Sequence, residues 1–106
     1  MEMKTQKEFR INIDVSDGEI KLERNHAVAA YADEVITWSC EGCFFAVQFP
    51  PGAPFTVENN GNLSTMIMPK DAIPCLPYKY TIAAFDNKHD KVLILDPVLV
   101  RIPPSG

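Results

Sequence analysis

The sequence predicts an all-β domain, an antiparallel-dominated sandwich of about seven or eight strands. Three observations lead there. Residues 9–15, FRINIDV, alternate apolar and polar side chains, and residues 78–85, YKYTIAAF, hold Tyr78, Tyr80, Ile82 and Ala84 on one face. That is the period of a half-buried strand. Short apolar runs then recur about every eight to twelve residues, with turn-forming clusters between them. No stretch long enough to make a helix carries apolar residues at helical spacing.

The elements follow in order. Residues 1–8 are polar and read as a tail, as do residues 103–106, leaving a single domain over 1–106. In the first strand Phe9, Ile11, Ile13 and Val15 share a face. Asp17-Gly18 is a hairpin signal, because glycine accepts the positive φ that a two-residue turn requires. Ile20 and Leu22 continue the alternation. Residues 26–32, HAVAAYA, read as a strand place Val28 and Ala30 on one side, although their alanine content also admits a short helix. Asp33-Glu34 turns the chain into residues 34–49, EVITWSCEGCFFAVQF. This stretch is expected to form a central hairpin about Glu41-Gly42, with Cys40 and Cys43 facing one another across it.

Pro50, Pro51 and Pro54 cannot supply ladder donors, so residues 50–54 are expected as a surface connection. Residues 59–62, NNGN, form a turn, and 63–68 an edge strand closed by Pro69. Residues 70–77 read as irregular. Asp86 to Asp90 form a polar turn before the apolar run Val92-Leu93-Ile94-Leu95, and Asp96-Pro97 separates that run from a last strand at 98–102. A proline there implies a bulge, an edge or a change of sheet.

Composition narrows the function. With 46% apolar residues, 106 residues bury one core without needing a metal or disulfide. A net charge of −4 and scattered Lys and Arg give no field for phosphates, which argues against nucleic acid. No apolar run approaches the length of a membrane span, and residues 1–15 show no secretory h-region. A cytoplasmic location is therefore expected, with Cys40, Cys43 and Cys75 as free thiols.

From Val35 onward the order of motifs resembles a cupredoxin-like sandwich: VITW before the turn, FFAVQF after it, Pro54-Phe55, the YKYTI strand and the closing LDPVLVRI. The resemblance spans residues 13–102 and is nearest to small bacterial cupredoxin-like proteins, with an immunoglobulin-like strand order as the alternative. It implies a copper site with a first His and a Cys, His and Met following the Tyr-x-Tyr strand. Phe45 and Ile82 stand at the first two of those positions, and AAFDNKHD offers one His but neither Cys nor Met. No copper centre and no other cofactor are expected.

The remaining chemistry is sparse. Cys40-x-x-Cys43 could chelate a soft ion with Cys75 and His89 or His26, or act as a redox pair. It lacks both a second ligand pair and the helix N-terminus that would lower a thiol pKa. Ser39, Ser64 and Ser105 lie in no nucleophile motif, and no glycine-rich phosphate loop exists. Catalysis is not expected. Phe44 and Phe45 point to opposite faces, so one of them requires a cover; Met66 and Met68 lie on the expected edge strand. Phe45, Met66 and Met68 mark the expected surface for a protein partner or self-association. Carbohydrate binding is a further reading, and needs two rings on one outer face.

Overall fold

The computed structural model describes residues 8–22 and 27–103. Among these residues there is no helix. The strands are β1 (Glu8–Ser16), β2 (Glu19–Leu22), β3 (Ala27–Tyr31), β4 (Val35–Cys40), β5 (Phe45–Gln48), β6 (Glu58–Asn59), β7 (Leu63–Ile67), β8 (Tyr78–Lys79), β9 (Thr81–Asp86), β10 (Lys91–Leu95) and β11 (Val98–Ile102). The expected tails and His26 fall largely outside the described residues; Glu8, assigned to a tail, opens β1.

Three sheets pack together as a β-sandwich. One has five strands, in the order β2-β1-β4-β7-β6; the others have three each, β10-β9-β5 and β3-β11-β8. Six of the eight strand pairings among the described residues are antiparallel, and β1–β4 and β3–β11 are parallel. The eleven strands among the described residues exceed the seven or eight expected, in part because residues 78–86, expected as one strand, are cut in two at Tyr80 and Glu58–Asn59 add a two-residue strand. Residues 78–86 pass from the β3-β11-β8 sheet to the β10-β9-β5 sheet at Tyr80, and residues 91–102 make the return crossing at Asp96-Pro97. Tyr80 N–H donates to the Pro97 carbonyl at 3.0 Å, which locks the two crossings together. Of the three outcomes expected for Asp96-Pro97, a change of sheet is the one found.

Several turns match their sequence signals. Asp17 and Gly18 both adopt positive φ, 54° and 73°, and Ser16 pairs with Glu19 across them. HAVAAYA supplies the strand β3, with Val28 and Ala30 buried.

Two expectations are overturned. The stretch around Glu41-Gly42 is not a hairpin, because β4 and β5 belong to different sheets. Both sides of β4 are occupied, by β1 and β7, so the chain leaving Cys40 crosses the sandwich and pairs with β9 instead. Nor is β7 an edge: it lies between β4 and the two-residue β6.

The core joins the sheets through apolar side chains from β1, β3, β4, β5, β7, β9 and β11, among them Ile11, Val28, Ile36, Val47, Met66, Ile82 and Leu99. A chain of aromatic contacts runs through it. Trp38 meets Tyr80 edge-on at 5.6 Å, Tyr80 stacks on Phe49 at 5.1 Å, Phe49 on Phe55 at 4.4 Å, and Phe55 meets Tyr78 edge-on at 4.9 Å. Phe49 and Phe55 stand on either side of the proline-rich connection, so their stacking closes its base. Asn59 ties the layers by polar contacts. Its Oδ1 accepts from Val47 N–H (2.8 Å) and Ser64 Oγ (2.6 Å), and its Nδ2 donates to the Val47 carbonyl (3.1 Å). The amide thereby serves β5 as a substitute ladder partner.

Candidate functional site

The segment that crosses from β4 to β5 is held at several points. Cys40 N–H donates to the Asn62 carbonyl (3.2 Å) and Phe45 N–H to the Gly61 carbonyl (2.9 Å), while the Phe44 carbonyl accepts from Phe85 N–H (2.9 Å). Cys40 and Cys43 are joined by a disulfide across Glu41 and Gly42, with their Cα atoms 5.8 Å apart. This corrects the expectation of free thiols: the crossing brings the two cysteines to bridging distance. Gly42 has φ of 83°, a conformation that favours glycine. Cys75 is the free, exposed cysteine among the described residues.

The bond at Phe44 sets the register of the neighbouring surface. Phe44 lies opposite Phe85, and Phe85 pairs with Val92. Two residues further along, Ala46 pairs with Ala83, and Ala83 with Ile94. Alternation places all six on the outer side of the β10-β9-β5 sheet, since Phe45, Val47, Ile82 and Ala84 between them are buried. The result is two apolar rows side by side, Phe44-Phe85-Val92 and Ala46-Ala83-Ile94. Phe44 is 70% exposed, Phe85 37%, Val92 61% and Ile94 58%. The next row, Gln48-Thr81, is polar, and Thr81 Oγ1 donates to Asp96 there (2.9 Å). Over β1 the five-stranded sheet turns the opposite character outward, with Arg10, Asn12 and Asp14, and Ser39 follows on β4; on β7 of the same face Leu63 and Ile67 are exposed. A solvated sheet face is ordinarily polar, as that one is over β1.

At the β9–β10 turn, Asp86 is buried. Its Oδ1 accepts from the backbone N–H groups of Lys88 (3.1 Å) and His89 (3.3 Å), and its Oδ2 lies 2.6 Å from His89 Nδ1. Burial pushes the carboxyl up, but the His89 ring and the two backbone donors outweigh it and hold Asp86 below the usual carboxylate range. The geometry is that of a capped turn. In the core, burial pushes the Tyr80 hydroxyl up to about 12, against the opposing effect of the bond from Trp38 Nε1 (3.2 Å).

The expected site residues land elsewhere. Phe45, Met66 and Met68 are all buried, at 5%, 3% and 0% exposure, and offer no surface for a partner. Phe45 turns inward because it pairs with Ala84 on the core side of β9, which leaves Phe44 as the outward ring. Met66 pairs with Ile36 in the core, and Ile67 faces out. The alternative ligand set Cys40, Cys43, Cys75 and His89 does not assemble. The first two sulfurs are bonded to each other, Cys75 N–H is tied to the Arg101 carbonyl on β11, and His89 sits in the β9–β10 turn against Asp86. Among the described residues no group of three His, Cys, Asp or Glu side chains is placed to hold a metal. Of the outward residues, Phe44 is flagged by its adjacency to Phe45, which requires one ring of the two to be covered; Ala46, Ala83, Phe85, Val92 and Ile94 are not assigned to a site from the sequence, and the signal for them is in β10. VLIL is apolar on both faces of its strand, unlike a strand with a solvated side.

Compared with known proteins, the chain matches no family model and no curated protein.

Proposed function

We propose that this protein is a non-enzymatic protein-interaction module on a copper-free, cupredoxin-like scaffold, and that it binds through the outer face of the β10-β9-β5 sheet. One observation carries this reading: six apolar residues in two adjacent rows face outward on one sheet, whereas on the five-stranded sheet the exposed apolar side chains Leu63 and Ile67 stand apart among polar ones. Scattered apolar residues are normal on a surface, whereas a contiguous group on a flat sheet marks a contact. Val92→Lys and Ile94→Lys place charge on the face at exposed positions and leave the core intact. A specific protein retained by the wild-type chain and lost by both variants supports the reading. Equal retention by all three chains, or none by any together with a chain that stays monomeric, refutes it.

Phe44 and Phe85 together meet the two-ring requirement for carbohydrate, which gives that reading one observation in its favour. Their immediate neighbours Ala46, Ala83, Val92 and Ile94 carry no side-chain group to hydrogen-bond sugar hydroxyls, so protein is the better-matched ligand. A glycan array with retention abolished by Phe44→Ala would reverse that preference.

A further inference from the structure

The two apolar rows differ in height, and that difference identifies an occupant. The first row, Phe44-Phe85-Val92, is a ridge; in the second, Ala46 and Ala83 form a low shelf ending at Ile94. We infer that the face is completed by a second copy of this chain, packed sheet to sheet about a two-fold axis that runs between the two rows and parallel to them. The inference rests on the reading of this face as an interaction surface.

Such an axis keeps each strand over its own counterpart and exchanges the rows. Phe44 then lies over Ala46 of the second copy, Phe85 over Ala83 and Val92 over Ile94, and each contact occurs twice. Large thus meets small on β5 and β9, and the β-branched pair closes β10. A two-fold contact requires a self-complementary patch of this kind, in which residue i meets j and j meets i. The facing strands run in opposite directions along a common line, compatible with aligned sheet packing at about 10 Å. The polar row Gln48-Thr81 would lie at the margin of the contact, where a polar rim belongs.

Area sets the expected strength. Taking a fully exposed aromatic side chain as about 200 Å² and scaling by the exposures gives each copy roughly 400 Å² of apolar surface on this face. Stable interfaces contribute about 800 Å² per partner. The dimer is therefore of the weak class, forming at tens of micromolar or above, and it adds no net charge to the contact because all six residues are uncharged.

Sedimentation equilibrium of the intact oxidised chain from about 5 µM to 1 mM tests this, with the apparent mass expected to rise from 11.8 kDa toward twice that value and to stop there. Ala83→Phe fills the shelf and is expected to weaken association at least 10-fold, although it adds apolar surface; Phe85→Ala removes the ridge and does the same. Combining Ala83→Phe with Phe85→Ala exchanges ridge and shelf on β9 and is expected to recover most of the loss. Circular dichroism and urea unfolding of each variant verify that the fold is retained. A strictly monomeric wild type at 1 mM, assembly beyond a dimer, or tighter self-association of Ala83→Phe would each overturn the dimer. In those cases the capture experiment with Val92→Lys separates the two ideas: a specific protein lost with that variant leaves the interaction reading standing without self-association, and capture indifferent to it removes both.

Discussion

Tyr80→Phe tests the account of the core most directly, because one atom links packing to pH. The Trp38 indole is fully buried, and its Nε1–H donates to Tyr80 Oη at 3.2 Å. Removing the hydroxyl leaves that donor without a partner where water does not reach, which costs about 1–3 kcal/mol. A loss near 2 kcal/mol lowers the melting temperature by roughly 10 °C in a domain of this size. The same hydroxyl also binds its proton more tightly in the folded state, with a pKa of about 12 against 10.0. A folded pKa raised above the unfolded one contributes stability that is fully present below pH 10 and is lost as pH rises through 12. Two pH units correspond to about 2.7 kcal/mol. Urea unfolding followed by the fluorescence of Trp38, the single tryptophan, at pH 7 to 12 measures both effects. The wild-type advantage over Tyr80→Phe should be about 2 kcal/mol at pH 7 and should disappear by pH 12. Tyr31→Phe, at an exposed position, serves as a control expected to stay within about 0.5 kcal/mol at pH 7. Equal stability of Tyr80→Phe and wild type at pH 7, or parallel losses through pH 12, would show that the Trp38–Tyr80 bond does not stabilise the core.

Three further outcomes are expected. Asn59→Ala deletes three hydrogen bonds between β6, β5 and Ser64 and should cost about 2–4 kcal/mol in urea titrations; a double-mutant cycle with Ser64→Ala should be non-additive, and full additivity would remove Asn59 as the tie between layers. Reducing the Cys40–Cys43 bridge opens a loop of four residues, for which chain entropy gives about 2 kcal/mol; thiol titration of the native chain should find one reactive thiol, Cys75, before reduction and three after, and three beforehand would show the bridge unformed. Asp86→Asn keeps an acceptor for the turn but removes the charge. Because the folded carboxyl is depressed, its stabilisation is present above about pH 4 and lost as pH falls below it, so the variant should show a shallower acid limb, and an unchanged limb would contradict the assignment.

Strand faces and tight turns are local properties of this chain. Alternation in FRINIDV and YKYTIAAF assigns faces because side chains in a strand point to opposite sides in turn, and Ile11, Ile13, Tyr80, Ile82 and Ala84 are indeed buried. Asp17-Gly18 specifies its turn through backbone conformations available within two residues. Phe44 and Phe45 mark the limit of that logic. Their opposite orientation follows from adjacency, but which ring faces the core depends on pairing with Ala84, a residue far along the chain.

The stretch from Glu34 to Phe49 shows the same division at larger scale. Its two strands and the turn between them were legible from β-branched residues and Glu41-Gly42. Whether those strands pair with each other was not, since a turn closes equally well within one sheet or between two. That choice was made by β1 and β7, which occupy both sides of β4 and send β5 across to β9. An all-β chain, its turns and most of its core faces follow from local pattern, because they are properties of neighbours along the backbone. That Cys40 and Cys43 bridge a crossing between sheets, and that Phe44, Phe85 and Val92 line up beside Ala46, Ala83 and Ile94, follows only from the assembled sheets. Those are matters of register between distant strands, set by competition for hydrogen-bonding edges, on which local pattern has no bearing.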